Sequence, residues 1–357
     1  MQPVLTRFAL SGTPVSCEPY GSGHINGTQL VVCDSGARYI LQLINTTVFH
    51  DPVALMRNIE LVTEHLRKKI SDPRGVLSLV PAKDGRSFTV ESGDYWRVYE
   101  LVPNSVCYQT ADEALFAESA VAFGRFQNQL SDFPAEELAE TIPHFHDTPA
   151  RFRSFLRAVE ENASGRRDDV LREIEFVLGF QDFVHTLTNL QAKGALPLRV
   201  THNDTKINNV LFDADTKKAL CVIDLDTVMP GLSVNDFGDA IRFGASTAAE
   251  DEHDLSLVHF DLHLFETYTR GYLSTCGKSL TRTEIEMLPI GAKMMTLECG
   301  MRFLSDHIAG DTYFHVSRNS QNLDRARTQF QLVREMSDHR QEMDDIVGRA
   351  AIYAIQQ

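Results

Sequence analysis

The segment Val200-Thr-His202-Asn-Asp204-Thr-Lys206-Ile-Asn-Asn209-Val-Leu-Phe-Asp213 sets a histidine, a carboxylate and an amide at relative positions 0, 2 and 7. A carboxylate such as Asp204 can accept the proton of an attacking hydroxyl. Asn209, one short loop later, can offer a carbonyl oxygen to a hard divalent cation such as Mg²⁺, which prefers oxygen ligands. A second carboxylate for the same cation should follow a strand. Asp224 does so, at the end of the apolar run Leu220-Cys-Val-Ile223. Asp226 is either a further ligand or a hydrogen-bonding carboxylate. Lys206 could meet a transferring anionic group, or be a solvated loop lysine. The bland reading of the segment is a capped, Asp-rich turn with His202 packed in the core. The three parts together form a stronger signal than any one of them.

Such a loop needs a rigid frame, and the flanking sequence has the pattern of one. Up to about residue 102 the chain reads strand, strand, strand, helix, strand, strand. The strands are near 15–20, 28–33, 38–44, 87–90 and 95–102, with turn signals at Gly21-Ser-Gly23, Asp34-Ser-Gly36 and Ser92-Gly-Asp94. Asp51-Pro52 reads as a helix cap followed by proline in the first turn. Leu55, Ile59, Val62 and Leu66 then recur at helical spacing. Beyond residue 110 helical periodicity dominates, in 112–130, 166–193, 254–275, 283–310 and 323–354. The strand-and-loop insert 198–227 interrupts it. These signals predict an α+β protein with a small sheet lobe, 1–102, and a larger helical lobe, 103–357.

Composition excludes some functions. The formal net charge of −15 is wrong for a general nucleic-acid binder, which must neutralise phosphates with basic surface. No stretch approaches the roughly 20 apolar residues of a membrane span, and the N-terminus lacks the apolar core of a secretion signal. The six cysteines form no C-x-x-C pair, so they read as reduced thiols and not as a zinc knuckle. A cytoplasmic protein with neither nucleic-acid nor membrane partners is expected.

The His202, Asp204, Asn209 spacing is that of the kinase catalytic loop. Residues 200–244 resemble the aminoglycoside phosphotransferase and choline kinase superfamily. Within it the chain is similar to the N-acetylhexosamine 1-kinases, through phrases spread from residue 20 to beyond 300. They are Tyr20-Gly-Ser-Gly-His24-Ile-Asn26, Tyr39-Ile-Leu-Gln42, Ile142-Pro-His-Phe-His-Asp-Thr-Pro149, Thr201-His-Asn-Asp-Thr-Lys206, Ile223-Asp-Leu-Asp-Thr-Val-Met-Pro-Gly231, Asp236-Phe-Gly-Asp-Ala-Ile-Arg-Phe-Gly-Ala245 and Glu298-Cys-Gly-Met-Arg-Phe303. The resemblance implies a protein-kinase-like two-lobed fold with ATP as co-substrate, Mg²⁺ as cofactor and N-acetylglucosamine or N-acetylgalactosamine as acceptor at its anomeric hydroxyl. It implies Asp204 as base and Lys206 as phosphoryl contact, with Asn209, Asp224 and Asp226 toward the metal. Gly21, Gly23, Gln42, Glu100 and Val102 fall toward the nucleotide. The acceptor contacts would be His24, Asp204, Phe243, Arg302 and Tyr313. Two alternatives stay beside it: another small-molecule kinase of the superfamily, acting on an aminoglycoside, amino alcohol or other sugar, and a nucleotide-binding pseudokinase.

Other residues carry two readings. Asp236-Phe237-Gly238 spells the metal-binding triplet of protein kinases, but lies 27 residues beyond Asn209 where Asp224 lies 15 beyond it. Asp236 and Asp239 are therefore expected to cap a helix and brace the loop. Gly21 and Gly23 match only two positions of a phosphate-loop pattern and could merely turn a hairpin. His24 is a substrate or phosphate contact or an exposed loop histidine. Where the kinase pattern wants a strand lysine, this chain has Gln42. The helix carboxylate Glu60 then has no lysine to pair with, and no catalytic role is expected of it. His144-x-His146-Asp147 lacks a well-placed third metal ligand and is expected to organise a loop before a helix.

Overall fold

A computed structural model describes residues 3–21, 25–110 and 112–356. Gly23 and His24 lie outside the described residues. The N-terminal part is an antiparallel sheet of β1 (Pro14–Pro19), β2 (Gly27–Cys33), β3 (Arg38–Leu43), β4 (Phe88–Glu91) and β5 (Asp94–Glu100), in the order β1-β2-β3-β5-β4. Side chains alternate across a sheet, so its two faces differ in content. Val31, Tyr39, Leu41, Trp96 and Val98 pack one face against Val4, Leu5 and Phe8. Phe88 and Tyr99 join Leu55, Met56, Ile59 and Val62 of α1 (Pro52–Arg67) in the cluster on the other face. Gln42 and Arg97 are cross-strand partners, on the face that carries Tyr99. Asp51 caps α1 as its sequence position predicts, accepting the Ala54 N–H at 2.9 Å.

The chain then passes through β6 (Ser105–Val106) into α2 (Glu113–Gln129), α3 (Thr148–Glu161), α4 (Leu171–Leu178) and α5 (Thr186–Ala192). The segment 199–231 follows, as β7 (Arg199–Thr201), β8 (Val210–Asp213), β9 (Ala219–Val222) and β10 (Met229–Gly231). Among the described residues β7 pairs with β10, and β8 pairs with β6 and β9. The remainder is helical: α6 (Ser233–Gly244), α7 (Leu262–Cys276), α8 (Arg282–Glu286), α9 (Leu288–Ala309), α10 (Gln321–Asp338) and α11 (Arg340–Gln356). Phe237 is central to this core, with the rings of Phe265, Tyr268 and Tyr272 5.4–5.9 Å away.

The α+β architecture matches the sequence expectation. Some boundaries differ. The periodic stretch 166–193 is broken after Leu178, 323–354 is two helices divided at His339, and 254–261 lies outside any α-helix. Helix α6 is not among the expected helices, although Val234, Phe237 and Ile241 recur at helical spacing; every residue from Ser233 to Arg242 is buried, the polar ones included. At two glycines its main chain comes close to that of α9. A Cβ at Gly238 would stand 2.3 Å from the Gly291 carbonyl oxygen, and one at Gly291 would stand 2.2 Å from that of Val234. Glycine is the residue that permits such an approach.

Candidate active site

Asp204 lies in the loop between β7 and β8, and is partly exposed. Its carboxylate pairs with Lys206 Nζ at 2.9 Å. The Asn209 amide donates to Asp204 Oδ2 at 3.0 Å and to the Asp204 carbonyl at 2.8 Å. That fixes the Asn209 side chain with its carbonyl oxygen unengaged among the described residues. Lys206 is drawn down in pKa by desolvation, but Asp204 and Asp239 outweigh this and hold it above the usual lysine value. The base and the cation expected for phosphoryl transfer are thus already paired.

The loop is held by buried polar groups. His202, fully buried, directs Nε2 to the Ile223 carbonyl at 2.8 Å and accepts the Asp204 N–H on Nδ1 at 3.3 Å. In this network Nε2 donates and Nδ1 accepts. Phe123 and Phe126 pack edge-on against the ring. Asp236 accepts the N–H groups of His202 and Asn203 at 2.8 and 2.7 Å, and Asp239 that of Thr205 at 2.9 Å. Bracing is what sequence position predicts for these two; capping is not what they do. They stand inside α6, whose N-cap is Leu232. Burial pushes the Asp236 pKa up to about 6, against the pull of the amides and His202.

His146 supplies a further strut. One ring nitrogen meets Glu298 Oε1 at 2.9 Å and the other the Asn203 carbonyl at 3.2 Å. Thr148 completes the Glu298 carboxylate at 2.6 Å. Burial lowers the His146 pKa, but the hydrogen bond and charge of Glu298, with Asp239 and the Asn203 carbonyl, more than offset it. The ring is held above the ordinary 6.5, and the same hydrogen bond and charge hold Glu298 below its ordinary 4.5 despite burial. The sign follows by linkage. A raised histidine stabilises fully below 6.5 and loses this as pH rises through its folded pKa. A lowered glutamate stabilises fully above 4.5 and loses this as pH falls through its folded pKa. The pair therefore contributes fully between those limits. Thermal melts from about pH 5 to about pH 9 should show stability falling on the alkaline side in wild type and a flatter profile in His146→Gln. Parallel profiles would mean the strut carries no charge.

Asp224 follows β9 with φ 57°, and Asn203 has φ 65°. Left-handed backbone is uncommon outside glycine and clusters at functional sites. Solvent reaches the Asp224 side chain from the cleft, yet protein crowds the rest of it. This desolvation, with repulsion from Asp226 and Asp204, pushes its pKa up to about 6 against Arg97 and His202. A carboxylate facing other carboxylates is suited to a cation. Asp224 and the free Asn209 oxygen are a hard-oxygen donor pair that fits Mg²⁺, which completes its shell with phosphate oxygens and water. Among the described residues no three His, Cys, Asp or Glu side chains form a closed metal cage.

Asp226 is engaged differently. Oδ1 lies 2.5 Å from Arg97 Nη1, and Oδ2 accepts from the Asn26 amide at 2.5 Å. Gln42 is drawn into the same group: Oε1 accepts from Arg97 Nε at 2.9 Å, and Nε2 donates to Thr28 at 3.1 Å. Sequence reasoning missed Arg97. The available signal was a lone arginine in a strand otherwise aromatic and apolar, Tyr95-Trp-Arg-Val-Tyr99. Glu60 is exposed and makes no ion pair among the described residues.

Of the nucleotide contacts expected at the end of β5, the Glu100 N–H bonds Ser78 and that of Leu101 bonds Arg38. The Val102 N–H has no protein acceptor among the described residues. Gly21 is in left-handed backbone, and a Cβ there would meet no atom of the described residues within 4 Å beyond its chain neighbours. Arg302 faces the rings of Phe145, Tyr313 and Phe314 at 5.3–5.9 Å, with no hydrogen-bond partner among the described residues. Phe243 and Tyr313 are exposed. Phe243 lines a cleft of about 390 Å³ with Thr205, Arg242, Glu250 and Gln329.

A model of the phosphotransferase enzyme family matches residues 16–272. The chain is similar in fold to an aminoglycoside phosphotransferase from Alicyclobacillus acidocaldarius, at 11% identity and TM-score 0.58, covering 98% of this chain and 95% of that one. A choline/ethanolamine kinase family protein from Mesorhizobium loti matches at 16% and 0.57, covering 98% and 96%. The amicoumacin kinase hAmiN, solved with AMP-PNP, Ca²⁺ and its substrate, matches at 13% and 0.56, covering 94% and 91%.

Proposed function

Because the chain belongs to the phosphotransferase enzyme family, we propose that it transfers the γ-phosphoryl group of ATP to the anomeric hydroxyl of an N-acetylhexosamine. The observation that carries the choice of acceptor is the electrical neutrality of the cleft beside the base. Among the described residues its only ionisable lining groups are Arg242 and Glu250, paired at 2.7 Å. Aminoglycosides and amino alcohols are cations and call for unpaired carboxylates. This lining instead offers uncharged hydrogen-bonding groups and two aromatic rings, Phe116 and Phe243. Gln329 is buried, and its carboxamide oxygen has no partner among the described residues. Arg302, stacked but without an acceptor, suits a hydroxyl or carbonyl oxygen.

In this reading the nucleotide lies between the sheet lobe, 1–102, and the helical lobe, 103–357, with the Val102 N–H toward adenine. Asn209 and Asp224 would hold Mg²⁺, which when bound neutralises phosphate charge. Asp204 orients the sugar O1 hydroxyl and takes its proton. The Asn209 amide holds the Asp204 carboxylate still, and Lys206 pairs with it and stands ready for the phosphoryl oxygens. Most of the rate gain comes from positioning and charge stabilisation.

ATP consumption should be measured across N-acetylated sugars, simple sugars, aminoglycosides and amino alcohols, with the phosphorylated position read by ³¹P NMR. Turnover is expected with N-acetylhexosamines, giving the 1-phosphate. Turnover confined to cationic acceptors, or phosphorylation away from O1, would overturn the reading. ATP binding with no turnover on any acceptor would favour the pseudokinase.

A further inference from the structure

The usual kinase lobe puts a lysine on its third strand and pairs it with a helix carboxylate. Here the strand carries Gln42 and the helix residue Glu60 stands free. A cation is nevertheless present one strand away. Arg97 of β5 is the cross-strand neighbour of Gln42 and donates to its side chain. It is 1% exposed, and its partners converge from four directions: Gln42 of β3, Tyr99 with the ring centroid at 5.2 Å, Met56 of α1 with the sulfur at 4.0 Å, and Asp226 of the catalytic segment.

We propose that Arg97 supplies from β5 the cation that β3 lacks, and that it works as a positioning residue by latching the sheet lobe to the segment that carries Asp224. Asp226 is the other half of the latch. It stands two residues beyond Asp224, on the helical turn Leu225–Thr227. Asn26, immediately before β2, holds its second oxygen. Asn26 also accepts the Asn45 N–H at 3.0 Å. Sheet and catalytic segment thereby meet on one carboxylate. The α1 helix is tied to the same segment independently, through Asn58 to the Val228 carbonyl at 3.0 Å, so the latch acts on the sheet. A buried ion pair gains little net stability, because desolvation offsets the attraction. Its retention here is explained by register between two lobes that must grip one nucleotide. The loss of grip should appear in nucleotide affinity, with or without metal. Loss of a metal ligand would weaken binding only when Mg²⁺ is present.

The proposal rests on the nucleotide-dependent reading above, and wild-type protein failing to bind MgATP would sink that reading first. Given wild-type binding, the test is calorimetry of ATP and ADP, each with Mg²⁺ and with EDTA, beside steady-state kinetics. Arg97→Met/Asp226→Asn removes both charges, so neither is left buried alone. It should weaken nucleotide about tenfold or more in both conditions and raise KM for ATP in step, with KM for the acceptor little changed. Arg97→Lys keeps the charge but cannot span Gln42 and Asp226, and should fall between the double variant and wild type. Gln42→Lys/Arg97→Gln returns the cation to β3, and should recover part of what Arg97→Gln loses. Unchanged nucleotide affinity in the folded double variant, or loss only with Mg²⁺ present, would overturn the latch. So would a fall in kcat with both KM values unchanged, which is the mark of a lower folded fraction. Should the double variant not fold, Arg97→Lys decides by the same readouts.

Discussion

Asp204→Asn is expected to lower kcat by about a thousandfold while MgATP binds nearly as it does to wild type. The substitution is nearly isosteric. Its amide oxygen can still accept from Asn209, so the loop should keep its shape and the melting temperature should move little. What disappears is the ability to take the acceptor's proton, together with the charge that pairs Lys206. Both matter at the reacting hydroxyl and not at the nucleotide, so the defect belongs in kcat and kcat/KM for the sugar. Rapid-quench turnover beside nucleotide calorimetry separates the two. A variant with near-normal kcat, or one that loses MgATP and turnover together, would remove Asp204 from the role of base.

Asp224→Ala should abolish Mg²⁺-dependent tightening of ATP binding and reduce turnover to background. Asp236→Ala should instead destabilise the fold. The contrast is argued from partners. The Asp224 carboxylate faces the cleft and other carboxylates, where a cation relieves repulsion. Removing it deletes a ligand and leaves no buried group unsatisfied. The Asp236 carboxylate faces two buried backbone N–H groups. Deleting it orphans both, at about 1–3 kcal/mol each, and loosens the loop that carries Asp204. Titrating MgATP and following thermal unfolding on both variants distinguishes them. Retained Mg²⁺ dependence in Asp224→Ala, with its loss in a folded Asp236→Ala, would exchange the assignments.

Much of this site is legible in the sequence because its reactive groups lie within one loop and the strand after it. Asp204, Asn209 and Asp224 are spaced by local chain geometry, which a single sequence records. The sheet and α1 are legible for the same reason: turn residues and the Asp51-Pro52 start act on their neighbours. The supports are not legible, because tertiary structure alone brings them together. His146 meets Glu298 across 152 residues, and Arg97 reaches Gln42 across 55 and Asp226 across more. Nothing local marks Arg97 as the carrier of a charge missing from its neighbouring strand. Asp236 shows the converse failure. Its Asp-Phe-Gly context suggests a metal, while the fold uses the carboxylate to collect amides. Helix α6 has a signal, Val234, Phe237 and Ile241 at helical spacing, but nothing local shows that its polar residues Asn235, Asp236, Asp239 and Arg242 are buried as well.

The glycine contact between α6 and α9 bears on how this acceptor cleft can be redesigned. Helix α6 delivers Phe243 and the loop-bracing aspartates, and α9 delivers Arg302 and Glu298. Their separation is gauged by main chain against main chain, at Gly238 and Gly291. Side-chain libraries at Phe243 or Gln329 therefore re-tailor the lining of the cleft and leave that helix contact untouched. Enlarging either glycine would shift α6 against α9 and move Phe243 and the bracing aspartates relative to Arg302. The fold thus offers a breeder of new acceptor preferences a fixed jig with exchangeable fittings, provided the two smallest residues stay as they are.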